Sequence, residues 1–371
     1  MIHSLSIKGY RGFAHFEMSE LACINLLVGK NNGGKTSVLE CLYLLASGGD
    51  PSALWRVVNG RGERLDLETS PRAGPEIELD ITHLFHGHEA KIGTGFTVST
   101  KNGTPHRSLT YEIKQAPAEG AASGVGQERS DAPGRRPILA ITGNPKPLIA
   151  SLALTRHGGL RGDALDSPRI RARTQTEEIR SAQFISTESL TPDELVAMWN
   201  DIVLTESEER VLTALRFIEK RIERVAAVVS RQPYYYFSPG ARGGFKVKMR
   251  DSALPIPVGS LGDGIWRMLA MAIALVRSKG GILLVDEIDT GLHYTVLADM
   301  WRLIYSTARE FDIQVFATTH SYDCVRSLAT ICKAEGPRHI TIQRVEAGEL
   351  DAVRYSERQI MIAGEQEIEV R

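Results

Sequence analysis

The run Gly29-Lys30-Asn31-Asn32-Gly33-Gly34-Lys35-Thr36 fits the pattern GxxxxGK[ST] and dictates what must surround it. Such a loop works only where a strand delivers the chain and a helix carries it away, because loop amides and the helix N-terminus together point at an anion. Both flanks are present. Cys23 to Val28 reads as a buried parallel strand, and Thr36 to Ala46 reads as a helix. Glycines let the backbone turn sharply and approach phosphates closely. Lys35 is placed to reach the β- and γ-phosphates, and the Thr36 hydroxyl to bind Mg²⁺. The chain is thereby directed to an α/β core with parallel strands.

A second feature supplies what a phosphate loop lacks. Ile282-Leu-Leu-Val285 is an apolar run ending in Asp286-Glu287. An Asp at a strand end holds Mg²⁺, usually through water, and the following Glu orients and polarises an attacking water. Phosphoryl transfer asks chiefly for positioning and charge neutralisation, which these groups provide. Ser260 lies 26 residues before Asp286, in the glycine-rich turn Gly259-Ser260-Leu261-Gly262-Asp263-Gly264. Its hydroxyl, the glycine amides and the helix that follows would form a second anion cradle. Val315 to Thr318 is another apolar strand, ending at Thr319-His320-Ser321.

The Ser260–Gly264 turn resembles the signature of ABC-type ATPases, where it faces the γ-phosphate held by another subunit. By that resemblance His320 contacts the γ-phosphate and couples it to Glu287. Transporter members carry Asp six residues after the catalytic Glu; this chain has His293 there, in the loop that crosses the dimer. That departure looks like the DNA-repair and phage-defence branch. Gln183, before Phe184-Ile185-Ser186, is the candidate Mg²⁺-sensing glutamine. Lys8-Gly-Tyr10-Arg11-Gly-Phe13 resembles the turn after the first strand of RecF and SMC-like proteins, with Arg11 as a phosphate contact and Tyr10 near the base.

Taken together these motifs resemble the ATPase of the overcoming-lysogenization-defect (OLD) group, related to RecF and SMC proteins and often labelled AAA. The resemblance implies an ABC-type P-loop ATPase head with a mixed sheet, an N-terminal antiparallel β subdomain and a short helical insertion. ATP and Mg²⁺ are the implied cofactors, and a homodimer or higher oligomer closed around ATP is the implied assembly. Full-length members carry a TOPRIM nuclease with a DxD cluster. The 51 residues after His320 hold Asp323 and Asp351 but no DxD. The expectation is therefore a separately encoded effector, possibly TOPRIM-like, in an anti-phage system. Two alternatives stand beside it: a RecF-like repair ATPase holding duplex DNA, and a slow-turnover scaffold or sensor.

Composition narrows the alternatives. Lys and Arg total 44 against 45 Asp and Glu, so no global basic field exists to hold nucleic acid. Four scattered cysteines, without CxxC spacing, suggest neither a zinc site nor a disulfide framework, and a reducing cytoplasm fits. The N-terminus alternates like a strand, with no signal peptide. The longest charge-free apolar run, Met268 to Val276, is too short to span a bilayer.

The expected organisation is four-part. Residues 1–114 form a first lobe with the phosphate loop, and 115–136, rich in Ala, Gly, Ser and Pro, a flexible loop. Residues 137–235 form the insertion, and 236–371 a second lobe. Thr191-Pro192-Asp193-Glu194 reads as a capped helix start. From Ser207 to Ser230, Val211, Leu215, Ile218, Ile222, Val225 and Val229 recur at steps of four and three, as on a short coiled-coil helix.

Overall fold

A computed structural model describes residues 1–65, 78–100, 107–116, 136–144, 148–162, 182–186, 190–228, 244–335 and 339–370. The chain divides into two compact units. The first comprises Met1–Glu20, Asn31–Arg180 and Val345–Ala352; the second comprises Leu21–Lys30, Ser181–Arg344 and Val353–Arg371.

The first unit is built on an antiparallel sheet. Strands β1 (Leu5–Tyr10) and β2 (Phe13–Met18) form its first hairpin, and β5 (Gly95–Ser99), β6 (Ser108–Gln115), β7 (Pro137–Asn144) and β8 (Ala150–Ala153) extend it in the order β2-β1-β5-β6-β7-β8. Alternate residues face inward, as period-two strands require: Phe96 and Val98 on β5, Leu109, Tyr111 and Ile113 on β6. The Phe96 and Tyr111 rings stack with centroids 4.6 Å apart. Helix α1 (Lys35–Ala46) packs on β5, and α2 (Pro51–Gly60) starts at Asp50, whose carboxylate accepts from Ser52 N. A short pair, β4 (Glu78–Leu79) with β9 (Leu160–Arg161), completes the unit.

The second unit holds the parallel sheet that the phosphate-loop pattern demanded. Strand β3 (Ile24–Val28) lies inside it, in the order β10 (Ala182–Ile185), β14 (Ile282–Val285), β15 (Gln314–Thr318), β3, β16 (Ile340–Arg344), β17 (Val353–Tyr355). Only β17 runs antiparallel. Every residue of β3, β14 and β15 is buried, which accounts for their unbroken apolar character. Asn25 near the start of β3, and Gln314 and Thr318 at the two ends of β15, are the polar exceptions. The Asn25 amide oxygen accepts from Ala22 N (2.8 Å) and Thr341 Oγ1 (3.0 Å), and its amide nitrogen donates to Ala22 O (2.8 Å) and Val315 O (3.2 Å). All four of its bonding positions are therefore used, which makes its burial tolerable.

Helices α3 (Pro192–Asn200), α4 (Glu206–Ile218), α5 (Asp263–Arg277), α6 (Tyr294–Glu310), α7 (Tyr322–Glu335) and α8 (Glu357–Glu365) belong to this unit. The capping box expected at Thr191 is present: its hydroxyl accepts from Glu194 N, and Glu194 accepts from Thr191 N. Helix α5 is buried from Ile265 to Val276 without a break, so the apolar run read at Met268–Val276 is a core helix. Among the described residues no helix is long and apolar enough to cross a membrane. The four thiols are all buried, and burial pushes Cys23 up to about 11 and Cys332 up to about 12.

Two expectations are corrected. The helix read over Ser207–Ser230 stops at Ile218, and Ile222–Ala227 is strand β11, paired with β12 (Phe245–Met249), which pairs in turn with β13 (Ile256–Pro257). A register shift between Ile222 and Arg224 puts Ile222 and Val225 on one face. A bulge thus mimics the helical step of three. The boundary expected at 137 does not fall there, because β7 and β8 extend the first unit's sheet, and Gln115 ends β6. Residues 117–135, which hold most of the flexible loop expected at 115–136, and residues 229–243 lie outside the described residues.

Replacing Asn25 by Ala should leave the Ala22 and Val315 backbone groups and the Thr341 hydroxyl short of partners. A loss of about 3 kcal/mol in stability is expected, read as a lowered urea midpoint. An unchanged midpoint would contradict the bonding described for Asn25.

Candidate active site

In a parallel sheet the strands end along a common edge, and ligands bind beyond that carboxyl edge. Here the register makes the edge explicit. Ile185 of β10 is level with Val285 of β14, which is level with Ala317 of β15, which is level with Leu26 of β3. One residue further stand Ser186, Asp286, Thr318 and Leu27. Gly29 and Lys30 follow β3, and Thr319 and His320 follow β15. Of the residues singled out in the sequence, Gly29, Lys30, Asp286, Glu287 and His320 therefore follow strand ends on one edge, and Gln183 does not.

Asp286 is 7% exposed and Glu287 is half-buried. Between them works the Thr318 hydroxyl, which donates to Asp286 Oδ1 (2.6 Å) and accepts from Glu287 N (2.7 Å). Ile288 N donates to Thr318 O at 2.9 Å. The neighbouring threonine repeats the device: Thr319 Oγ1 donates to Asp289 Oδ1 (2.5 Å) and accepts from Ser321 N (2.9 Å). Glu287 has φ 46°, left-handed for a side chain that rarely adopts it. Such a backbone costs roughly 1–3 kcal/mol and persists only where its surroundings enforce it. The carboxylate itself accepts from Thr290 Oγ1 at 3.0 Å.

The Ser260–Gly264 turn belongs to the same unit. Ser260 sits exposed in a 3-10 turn, Val258–Leu261, and Gly262 (φ 99°) starts α5 without a side-chain cap. Asp263 is exposed in the first turn of that helix. Gly264 has a steric reason, since a Cβ there would stand 2.9 Å from Gly291 O. The turn thus packs against the loop leading to His293, which is exposed at the start of α6 with Nδ1 2.9 Å from Thr295 Oγ1.

The rest of the phosphate loop falls in the first unit. Asn31 and Asn32 are exposed, and Asn32 has φ 60°. Gly33 is buried, and Gly34 (φ 95°) precedes α1 without a side-chain cap and without an acid in the first turn. The contrast with the capping box of α3 is chemical: α1 begins as an anion-binding helix must. A side chain at Gly34 would strike the Phe13 ring at 2.3 Å. Lys35 is 5% exposed and Thr36 half-buried.

Two site expectations are changed by the structure. Arg11 does not face outward toward a phosphate: it is 7% exposed and sits in ion pairs. Its Nε donates to Glu40 Oε2 (2.8 Å) and its terminal nitrogens to Glu63 (2.5 and 3.1 Å). Tyr10 is fully buried and also donates to Glu40 Oε2 (2.8 Å), while Arg61 takes Glu40 Oε1 (2.6 Å). Burial disfavours the Arg11 cation, yet Tyr10, Glu40 and Glu63 outweigh it and hold its pKa above the ordinary value. Burial and Glu40 raise Tyr10 as well. Gln183 pairs with Leu283, three residues short of Asp286. At about 3.3 Å per residue that is roughly 10 Å down the strand. The residue level with Asp286 is Ser186.

Sequence reasoning missed Thr318, Thr319 and Arg267. The threonines stood beside the noted His320 but carry no motif of their own. Arg267 interrupts the apolar face of α5, and that interruption was the available signal.

The comparisons agree with this architecture. A family model for an AAA ATPase domain matches residues 1–131. Another, described as an AAA domain, putative AbiEii toxin, Type IV TA system, matches residues 244–323. An ATP/GTP phosphatase of Helicobacter pylori is 20% identical over 374 residues, covering 92% of this chain and 91% of that protein. An uncharacterised Methanocaldococcus jannaschii protein is 38% identical over 94 residues, 23% of this chain and 42% of its own length. The SMC head bound to the C-winged-helix domain of ScpA aligns over 96% of this chain and 97% of its own, with TM-score 0.52 and 12% identity. The SMC head with an extended coiled coil, bound to the C-terminal domain of ScpA derived from Pyrococcus furiosus, aligns over 99% of both chains, with TM-score 0.50 and 11% identity. The fold is an SMC-head-like α/β fold, consistent with a P-loop ATPase of the ABC type. The matched AAA ATPase model and the ATP/GTP phosphatase relative support nucleotide hydrolysis.

Thr318→Val keeps the β-branched shape and removes the hydroxyl. With one bond to a charged group and one to a strained amide gone, turnover should fall roughly 10- to 100-fold. Steady-state phosphate release measures it; full turnover in a folded Thr318→Val protein would contradict the bracing role.

Proposed function

We propose that this chain is an Mg²⁺-dependent ATPase of the OLD, RecF and SMC-like group that closes around ATP with a second copy of itself. Its nucleotide state would govern a separate effector protein, of nuclease type, in a prokaryotic anti-phage system. The observation that carries the hydrolytic part is Glu287, held in a left-handed backbone at the carboxyl edge of a parallel sheet, its amide bonded to the residue that braces Asp286.

In this reading Gly29, Lys30, Asn31, Asn32, Gly33 and Gly34 cradle the phosphates with their amides. Lys35 neutralises β- and γ-phosphate charge. Thr36 and Asp286 hold Mg²⁺: a hydroxyl and a carboxylate are the hard oxygen donors that ion takes, and Asp286 acts as an acceptor toward Thr318. Among the described residues no group of three or more His, Cys, Asp or Glu is placed to hold a metal. Glu287 polarises the attacking water and His320 reads the γ-phosphate. Ser260, Gly262, Asp263 and Gly264 face the nucleotide of the partner copy, and His293 lies in the loop between copies.

Support for the shared site comes from the uncapped, exposed Ser260–Gly264 turn and its packing on the His293 loop. The defence role is supported by the matched model described as a putative AbiEii toxin. A protein effector is in keeping with SMC heads bound to ScpA domains.

Glu287→Gln should bind ATP normally, lose about 100-fold or more in turnover, and accumulate as an ATP-bound dimer in light scattering. Unchanged turnover would overturn the role of Glu287. Ser260→Arg should bind ATP as a monomer and neither dimerise nor hydrolyse; a dimer of normal activity would remove the shared site.

A further inference from the structure

Arg267 is buried at 4% exposure, one turn into helix α5, four residues after Asp263. Among the described residues its hydrogen bonds go to no carboxylate. One terminal nitrogen donates to Ser186 O at 2.6 Å; the other donates to Asp286 O at 2.6 Å and Glu287 O at 3.3 Å. Its Nε, also buried, has no hydrogen-bond partner among the described residues. Burial pushes its pKa down to about 10, against the pull of Asp286, Glu287 and Asp289. It is therefore a cation at neutral pH.

A buried cation resting on neutral carbonyls is a costly way to pack a helix, and an apolar side chain of similar volume would serve packing better. What the guanidinium achieves that Met or Leu would not is to fix three carbonyls at the ends of two adjacent strands. Ser186 stands level with Asp286, so one rigid fork spans β10 and β14. At Glu287 the result is a clamp on both backbone groups. Thr318 Oγ1 takes the amide, while Arg267 and Thr290 N (3.0 Å) take the carbonyl. A left-handed glutamate needs this kind of enforcement. The fork also comes from the helix whose first residues form the Ser260–Gly264 turn, so the seat of that helix and the seat of Glu287 are one mechanical unit.

We propose that Arg267 is a positioning residue that ties the placement of the Ser260–Gly264 turn to the backbone of Glu287, so that turnover depends on how α5 is seated. This rests on the ATPase reading above. Arg267 touches no reacting atom; it acts through Glu287.

The test compares Arg267→Met and Arg267→Lys, each alone and combined with Glu287→Gln. Arg267→Met should lower kcat roughly 10- to 100-fold, with the KM for ATP and the affinity for a non-hydrolysable ATP analogue within about threefold of the parent. Arg267→Lys, with a compact charge able to reach fewer carbonyls, should fall between. In the Glu287→Gln background, Arg267→Met should cause no further loss of residual turnover, although it lowers the melting temperature equally in both backgrounds. Equal fold losses in both backgrounds would show a merely structural role and overturn the proposal. So would an unchanged kcat in Arg267→Met, or in Arg267→Lys should the Met variant not fold. A wild-type protein without turnover would instead overturn the ATPase reading itself.

Discussion

One hydroxyl, that of Thr318, sets the geometry on which the second unit's chemistry depends. It has a single proton to give and gives it to Asp286, and it takes the amide proton of Glu287. That exchange is possible only because β14 and β15 run parallel in a fixed register, which brings Asp286 and Thr318 to the same level. A slip of one residue would turn every side chain of the strand to the opposite face and separate the two. The buried apolar runs of β3, β14 and β15 hold the register, so packing and chemistry here are the same constraint at two scales.

The first unit shows the same economy with charge. Glu40, on α1, is 2% exposed and receives Tyr10, Arg11 and Arg61. Two cations and a phenol surround it, and Arg11 reaches on to Glu63. A buried carboxylate with fewer donors would be strongly destabilising. The network anchors α1 five residues beyond Lys35, while the Phe13 ring lies where a side chain at Gly34 would have to go. The aromatic-Arg-x-Phe turn is thus a support for the helix that follows the phosphate loop.

Much of this was legible in the sequence, for identifiable reasons. The strand, glycine loop and helix at 23–46 announced themselves because each local preference agreed with the others. The acidic pair after Ile282–Val285 and the capping box at Thr191 were equally plain. What misled were positions where one pattern has two physical origins. A β-bulge at Ile222–Arg224 gave a strand the spacing of a helix. Arg11 looked like a phosphate ligand because its partners, Glu40 and Glu63, are 29 and 52 residues away in the chain. Gln183 had the right strand but the wrong level, and level is a property of pairing that no single strand displays. Thr318 and Arg267 act through long-range contacts in the same way, 31 and 20 residues from Glu287.

The central claim is that the hydrolytic site is complete only when two copies meet. The most direct measurement is ATP turnover per chain across a dilution series, with the oligomeric state followed in parallel by light scattering. The account predicts that turnover per chain falls toward zero on dilution, in step with loss of the dimer. A turnover per chain that stays constant into the range where only monomer is present would contradict it.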